Sequence, residues 1–339
     1  MKAAVLEKIN QPLTIRDIEL TSLEVGQVLV RILVSGICGS QIHEIKGFKG
    51  NEKFLPHLMG HEGCGIVEEI GVGVTTVRVG DKVVMHWRQG AGIEAAFPIY
   101  KLDGKEFSSG KVTTLSELAI VSENRLTAVP RETDSELAAL LGCSLTTALG
   151  IIDNQSHLKF GETVAIIGCG GVGLNLISGA ALKGASIVYA IDSIQEKEQL
   201  VISQGADYFL RSTDELPEKV DVIIDTTGIP DVISKACNFL SNDGRLIMVG
   251  QPSPGAEIVI PNALQMFNGV GQSIRATQGG DTRPHIDIPR YLKLFSSRKI
   301  EVSQLITHRY NLDSINTAFE TLKSGKSGRV IIEITEENL

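Results

Sequence analysis

A glycine-rich turn at residues 168–173 constrains the fold of this chain most strongly. It follows the apolar run ETVAII, reads GCGGVG, and precedes a helical segment that ends near Lys183. Glycines at this spacing let the backbone approach a pyrophosphate, which the N-terminus of the following helix stabilises. We predict a dinucleotide site there, the alternative being a purely structural turn. The candidate residues are Gly168, Gly170, Gly171, Val172 and Gly173.

Asp192 ends the next apolar run, SIVYAID, close to the expected interval after the glycine turn. A carboxylate at this point accepts hydrogen bonds from ribose hydroxyls and repels a 2′-phosphate, which favours NAD(H) over NADP(H). The alternative is a solvated acid at a strand end. Lys197 is a second candidate for the adenosine ribose, or else a solvated helix residue.

The patterning of the chain divides it into two kinds of structure. From about residue 161, apolar runs alternate with amphipathic segments, which predicts a doubly wound parallel sheet. Residues 1–35, 63–85, 115–122 and 125–130 contain short strand-like runs between turns, which predicts largely antiparallel strands. Residues 86–113 are turn-rich, which predicts an irregular surface lobe. Residues 135–149 predict one helix with Ser135 as N-cap, and residues 230–240 and 288–299 predict two more. Residues 163–182 are nearly uncharged, but their glycine cluster favours a buried strand, turn and helix over a membrane span.

Length and composition limit the partners. A chain of 339 residues suggests two domains or one large one, and a formal charge of −8 argues against nucleic acid or an anionic membrane as the main partner. Five scattered cysteines do not form a disulfide framework, so we expect a reducing, cytoplasmic setting. The first ten residues lack the apolar region of a signal peptide.

The stretch from Gly36 to Gly71 contains the side chains with the most distinctive chemistry. Cys38, Ser40 and His43 are followed by the adjacent pair His61 and Glu62. Thiolate, imidazole and carboxylate are ligands that zinc accepts, and a catalytic zinc needs three protein ligands and one open position. The residues alone therefore predict a metal site and leave its further ligand open.

The pattern Gly60-His61-Glu62-x-x-Gly65-x5-Gly71, with GICGS ahead of it and a dinucleotide motif behind it, resembles the zinc-dependent medium-chain alcohol dehydrogenase family. The resemblance covers essentially the whole chain. It implies an α/β protein with a GroES-like mixed β catalytic domain at residues 1–144 and 278–339. Residues 145–277 would form the Rossmann cofactor domain with its doubly wound parallel sheet.

The resemblance also implies one catalytic zinc ion per chain, held by Cys38, His61 and Cys143, with Glu62 in or behind the coordination. Spacing alone does not select Cys143, which without the resemblance is better explained as a buried core cysteine. Whether Glu62 is a permanent ligand stays open.

Further residues match family positions. Ser40 and His43 match a proton relay, although a turn hydroxyl and a surface histidine are the alternatives. Trp87 and Leu115 match substrate-pocket positions, while Thr147 and Arg329 match positions that contact the nicotinamide and the pyrophosphate of the cofactor. Trp87 in lobe packing and Arg329 as a solvated charge are the alternatives.

Two departures from the family pattern stand out. Gln41 replaces an aspartate that normally orients a ligating histidine, which predicts a weaker or more electrophilic zinc site. Residues 86–122 contain no cysteine, so the structural zinc site of many family members is excluded. We expect the lobe at residues 86–113 to be held by packing of its aromatic side chains, namely Trp87, Phe97, Tyr100 and Phe107.

We therefore predict a zinc-dependent oxidoreductase that transfers a hydride between a small-molecule alcohol, or its aldehyde or ketone, and NAD(H). A homodimer or homotetramer is expected, with strands near GRLIMVG and AEIVIP pairing between subunits. The crossover segment 269–285 contains Arg275 and Arg283, which are either substrate-binding or structural. The alternatives are a polyol or sugar-alcohol dehydrogenase, a zinc-free reductase and a non-catalytic nucleotide-binding protein.

Overall fold

The computed structural model describes residues 1–267, 271–297 and 304–336, and within them the side chains of all but residues 51, 52, 265 and 267. The chain forms two compact units. Residues 1–146 and 283–339 form the discontinuous unit, and residues 147–282 form the central unit. The start of the predicted crossover segment, residues 269–270, and the end of a predicted helix, residues 298–299, lie outside the described residues.

The first part of the discontinuous unit consists mainly of strands. They are β1 (Lys2–Leu6), β2 (Thr14–Asp17), β3 (Glu19–Leu20), β4 (Gln27–Ile37), β5 (His57–Leu58), β6 (Glu62–Ile70), β7 (Lys82–His86), β8 (Ile99–Leu102), β9 (Lys105–Ser108), β10 (Leu118–Ser122) and β11 (Leu126–Val129). Two short helices belong to this part, α1 (Gly39–Ile45) and α2 (Ser135–Leu140). The side chain of Asp134 caps α2 by accepting the N–H of Leu137 at 2.8 Å, so the prediction of Ser135 as N-cap is wrong.

The central unit alternates strands and helices. Its elements are α3 (Ser144–Gly150), which begins at the unit boundary and continues as a π-helix (Ile151–Gln155), β12 (Thr163–Ile167), α4 (Gly171–Lys183), β13 (Ile187–Ile191), α5 (Glu198–Ser203), β14 (Tyr208–Leu210), β15 (Val220–Asp225), α6 (Pro230–Ala236), β16 (Leu240–Met248), α7 (Ala263–Phe267) and β17 (Ser273–Ala276). The chain then returns to the discontinuous unit with α8 (Pro284–Ser296), β18 (Ile306–Asn311), α9 (Ile315–Lys323) and β19 (Arg329–Glu333).

In the described part of the discontinuous unit, seven strands form the largest sheet, in the order β11-β7-β6-β4-β19-β18, with β10 also paired to β4. Only the β18–β19 pairing of this sheet is parallel. Two smaller antiparallel sheets have the orders β2-β1-β5 and β3-β8-β9. The long central strand β4 is buried along most of its length, because apolar clusters cover its sheet.

The central unit contains a parallel sheet in the order β14-β13-β12-β15-β16-β17. Its first strand, β12, is a continuous apolar run buried on both faces, as parallel sheets require. The stretch 163–182 is therefore a buried strand, turn and helix, as predicted. None of the helices in the described residues is long and apolar enough to cross a membrane.

Residues 256–261 lie outside the strands of the single chain, with Val259 and Ile260 exposed, so their pairing between subunits stays a prediction. Two other expectations, both for the lobe, do not agree with the structure. The lobe expected to be irregular contains the antiparallel strands β8 and β9. In the lobe, the rings of Tyr100 and Phe107 stack with centroids 5.9 Å apart, but Phe97 is 58% exposed and does not pack inside. The buried carboxylate of Glu123 connects the lobe to the rest of the unit instead. Its Oε2 accepts the N–H of Ile93 at 2.7 Å.

Candidate metal centre and dinucleotide site

Three side chains with metal-binding atoms lie together in the discontinuous unit. The ligand atoms of Cys38, His61 and Cys143 all lie within 4.8 Å of one another. Cys38 directly precedes α1, His61 directly precedes β6, and Cys143 lies in the turn between α2 and α3. The fold therefore brings together two neighbouring ligand candidates and one that is distant in sequence.

The turn at Cys143 depends on Gly142. Residues 135–149 predicted one continuous helix, but the structure has two helices on either side of Cys143. A Cβ atom on Gly142 would overlap the carbonyl oxygen of Met85 and lie 2.9 Å from Cα of Glu62. Only glycine permits this close approach to β6 and β7, and the turn that contains it places Cys143 beside Cys38 and His61.

Gln41 fixes the backbone of Cys38. Oε1 of Gln41 accepts the N–H of Cys38 at 2.8 Å, and the N–H of Gln41 donates to the carbonyl oxygen of Cys38 at 3.0 Å. Gln41 is fully buried, and its Nε2 has no hydrogen-bond partner among the described residues. A neutral amide therefore holds the start of α1 where the resemblance implied a carboxylate.

Glu62 forms a buried ion pair with Arg329. One carboxylate oxygen of Glu62 accepts from Nη2 of Arg329, and the other accepts the N–H of Ser144 at 3.1 Å. Burial raises the pKa of Glu62, and Arg329 opposes the rise. Sequence reasoning missed this pair because its members lie near opposite ends of the chain. A ligand role for Glu62 and a pyrophosphate contact for Arg329 stay predictions.

The donor set fits a catalytic zinc ion. A hydrogen bond from the Cys143 thiol lowers the pKa of Cys38 well below its usual value, with burial opposing and His61 assisting. The same bond, together with burial, raises the pKa of Cys143. Two sulfurs and one imidazole leave a fourth position open, which is typical of catalytic rather than structural zinc.

Both predicted relay residues lie on α1, directly after Cys38. Ser40 and His43 are half-buried and three residues apart, so they share one side of the helix. The ring of His43 lies 5.6 Å from the ring of Phe48. The structure thus places both groups next to a metal ligand, and proton transfer between them stays a prediction.

A cavity of about 390 Å³ in the discontinuous unit is lined by His61. Trp87 lines this cavity, whereas Leu115 is 1% exposed and belongs to a hydrophobic core with Met59. Arg275 and Arg283 are exposed and are not among its lining residues. Sequence reasoning missed most of the polar lining, because isolated charged residues carry no local signal. These residues are Glu44, His57, Glu94, Lys111 and Arg125.

In the central unit, the glycine turn lies between β12 and α4. The carbonyl oxygen of Gly168 accepts the hydroxyl of Thr226 at 2.7 Å, just after the neighbouring strand β15. A Cβ atom on Gly173 would overlap the same carbonyl, so glycine is required there. The strand order reverses between β12 and β15, and the N-terminus of α4 lies at this switch point without a side-chain cap. This is the arrangement at which dinucleotides bind in doubly wound sheets.

The carboxylate of Asp192 is hydrogen-bonded to the glycine turn. It accepts the N–H of Cys169 at 2.8 Å, the N–H of Ile194 at 3.0 Å and Nζ of Lys197 at 2.8 Å. Lys197 is buried, and sequence reasoning did not foresee its ion pair with Asp192. Thr147 is buried on α3, and its contact with a nicotinamide stays a prediction.

Two family models match the chain. The model of the alcohol dehydrogenase GroES-like domain matches residues 24–131, and that of the zinc-binding dehydrogenases matches residues 171–297. Alcohol dehydrogenase 6 of Peromyscus maniculatus is 29% identical over 98% of this chain and 97% of its own length.

Solved structures agree with this fold. The alcohol dehydrogenase zinc-binding domain protein from Burkholderia ambifaria has a TM-score of 0.89 at 24% identity, covering 99% of each chain. The 2R,3R-butanediol dehydrogenase from Bacillus subtilis has a TM-score of 0.78 at 26% identity, covering 98% of this chain and 99% of its own. The predicted α/β fold class is confirmed, and the chain belongs to the zinc-dependent medium-chain alcohol dehydrogenase family.

Proposed function

We propose that the chain is a zinc-dependent oxidoreductase that transfers a hydride between an alcohol, or its aldehyde or ketone, and NAD(H). The observation that carries this proposal is the cluster of Cys38, His61 and Cys143. A catalytic zinc polarises an alcohol or carbonyl oxygen, and NAD(H) accepts or supplies the hydride.

The surrounding residues keep the ligands in place. Gln41 fixes the backbone of Cys38 through two hydrogen bonds. Ser144, directly after Cys143, donates its N–H to Glu62, directly after His61, and so connects the two ligand segments. The counter-ion of Glu62 is Arg329, so that the buried carboxylate carries no uncompensated charge.

We assign the proton route to α1. The Ser40 hydroxyl accepts the proton of the substrate hydroxyl and releases its own proton through the cofactor ribose hydroxyl to His43, which passes a proton on to solvent. An imidazole suits this role because its ordinary pKa lies near neutrality. In the central unit, the glycine turn and the N-terminus of α4 bind the pyrophosphate, and Asp192 with Lys197 binds the adenosine ribose.

The polar lining of the cavity favours a second candidate, a polyol or sugar-alcohol dehydrogenase of the same fold. We also propose a cytoplasmic homodimer or homotetramer. Free cysteines support a reducing compartment. The exposed apolar residues Val259, Ile260 and Leu264 of the central unit support an interface between subunits.

The test is an NAD-coupled absorbance screen of the zinc-loaded protein over primary, secondary, polyol and sugar alcohols. Cys38→Ser should lose zinc and activity together, while Cys237→Ser, in the apolar core of the central unit, should keep both. Full activity without zinc would support a zinc-free reductase instead. Binding of zinc and NAD without turnover of any alcohol or aldehyde would support a non-catalytic nucleotide-binding protein.

A further inference from the structure

The cavity lined by His61 contains a cluster of charged side chains: Glu94, Lys111 and Arg125. Nζ of Lys111 lies 2.6 Å from Oε1 of Glu94, and Nη2 of Arg125 lies 3.1 Å from the same oxygen. Oε2 of Glu94 accepts Nδ2 of Asn124 at 2.5 Å. Two cations therefore share one carboxylate, and both of its oxygens already accept hydrogen bonds.

Arg125 is the less compensated of the two cations. Its side chain is 11% exposed, and Nη1 is buried without a hydrogen-bond partner among the residues that the structure describes. Burial lowers the pKa of Arg125, and the charge of Glu94 opposes this effect. Arg125 therefore carries a positive charge that Glu94, which it shares with Lys111, offsets only in part.

The remaining titratable groups of the lining do not cancel this positive charge. Glu44 has its own counter-ion, Lys49, at 3.6 Å. Burial lowers the pKa of His57 and so disfavours its charged form. Trp87 and Phe97 add aromatic surface to the same lining. The cavity thus combines a metal ligand, apolar walls and one excess positive charge.

We propose that Arg125 determines substrate specificity by binding an anionic oxygen group, a carboxylate or a phosphate, at the end of the substrate far from the reacting carbon. This inference rests on the proposed function, in which the substrate hydroxyl lies beside His61. The guanidinium of Arg125 donates to the anionic group, Glu94 positions it, and the aromatic side chains contact the carbon chain between the two ends. The substrate class is then an alcohol with a distal negative charge.

Trp87 makes a direct binding test possible. It is the only tryptophan of the chain and it lines this cavity, so its fluorescence reports occupancy without turnover. The zinc-loaded protein is titrated with ω-hydroxyhexanoate, with ω-hydroxyhexyl phosphate and with ω-hydroxyhexanamide. All three probes carry the same hydroxyl and differ only in the charge of the far end. At least one anion should bind about tenfold tighter than the amide, and the better anion identifies the recognised group.

Three variants assign the effect to Arg125. Arg125→Gln should reduce the ratio of anion to amide affinity to about one, and Arg125→Lys should keep part of it because the charge remains. Lys105→Gln removes one exposed charge from the same lobe and should leave the ratio unchanged. Equal affinities of anions and amide in the unmodified protein would overturn the proposal, as would an unchanged ratio in Arg125→Gln. Because the readout is binding, absence of alcohol turnover would refute the proposed activity separately.

Discussion

The carboxylate of Glu123 connects the loop-rich lobe to the rest of the discontinuous unit. Oε1 accepts the N–H groups of Thr75 and Thr76 at 2.6 and 2.8 Å, and Oε2 accepts the N–H of Ile93 at 2.7 Å. The residue is fully buried. We predict that these bonds stabilise the region in which many family members use a structural zinc.

The expected loss of stability follows from the hydrogen bonds that each carboxylate oxygen of Glu123 accepts. Glu123→Gln can keep Oε1 on Thr75 and Thr76, but its NH₂ group would then face the N–H of Ile93, donor against donor. The loss of this bond and of the negative charge should cost about 2–3 kcal/mol in free energy of unfolding. Glu123→Ala leaves three N–H groups without an acceptor and should cost about 3–5 kcal/mol. For a unit of this size the glutamine variant should unfold about 5–10 °C lower.

The assay is thermal unfolding by calorimetry and by Trp87 fluorescence, since Trp87 lies in the lobe. Glu132→Gln, at an exposed position of the same unit, is the matched control and should change stability by less than about 0.5 kcal/mol. Unfolding of Glu123→Gln within that margin of the unmodified protein would refute the reasoning.

The dependence on pH provides an independent check. Burial raises the pKa of Glu123, but the hydrogen bonds to Thr75, Ile93 and Thr76 outweigh it, so the folded pKa lies below the ordinary value of 4.5. A lowered folded pKa means that the stabilisation is complete above the ordinary value and is lost as pH falls through the folded pKa. The stability difference between the unmodified protein and Glu123→Gln should therefore shrink in acid.

Three further predictions concern the two sites. Gln41→Asp should increase zinc affinity and shift the pH–rate profile, because a carboxylate makes the metal ligands stronger donors. Zinc affinity is measured by competition with a chelator, and an unchanged affinity together with an unchanged pH–rate profile would contradict the prediction. Asp192→Ser should move the ratio of kcat/KM towards NADP(H), since the repulsion of a 2′-phosphate disappears, and an unchanged ratio would argue against Asp192 at the ribose. Gly142→Ala should lower the free energy of unfolding by about 2–3 kcal/mol and reduce zinc content, because the new Cβ overlaps the carbonyl oxygen of Met85; a normally stable variant with full zinc would exclude this packing argument.

Much of the fold was predictable because its signals are local. The apolar runs at residues 163–167 and 187–191, with the glycine turn between them, predicted the parallel sheet and the dinucleotide site at that turn. The helix break at Gly142 was not predicted, since an isolated glycine inside a helical pattern is tolerated at a cost of about 1 kcal/mol. The close approach of Gly142 to β6 and β7, which leaves no room for a Cβ atom, exists only in the tertiary structure. The lobe prediction failed at Phe97 for a similar reason, because aromatic composition does not say which side chains face inward.

The sequence by itself determined the chemistry of the site: thiol and imidazole groups at the spacing of Cys38 and His61, and an acid at Asp192 after a glycine turn. These signals can be read from the sequence because ligand type and turn geometry depend on neighbouring residues. Only the tertiary structure decided which distant residues lie against these groups, since long-range contacts depend on how distant segments pack. It placed Cys143 in the metal cluster, Arg329 on Glu62, and an under-compensated arginine, Arg125, in the wall of the cavity.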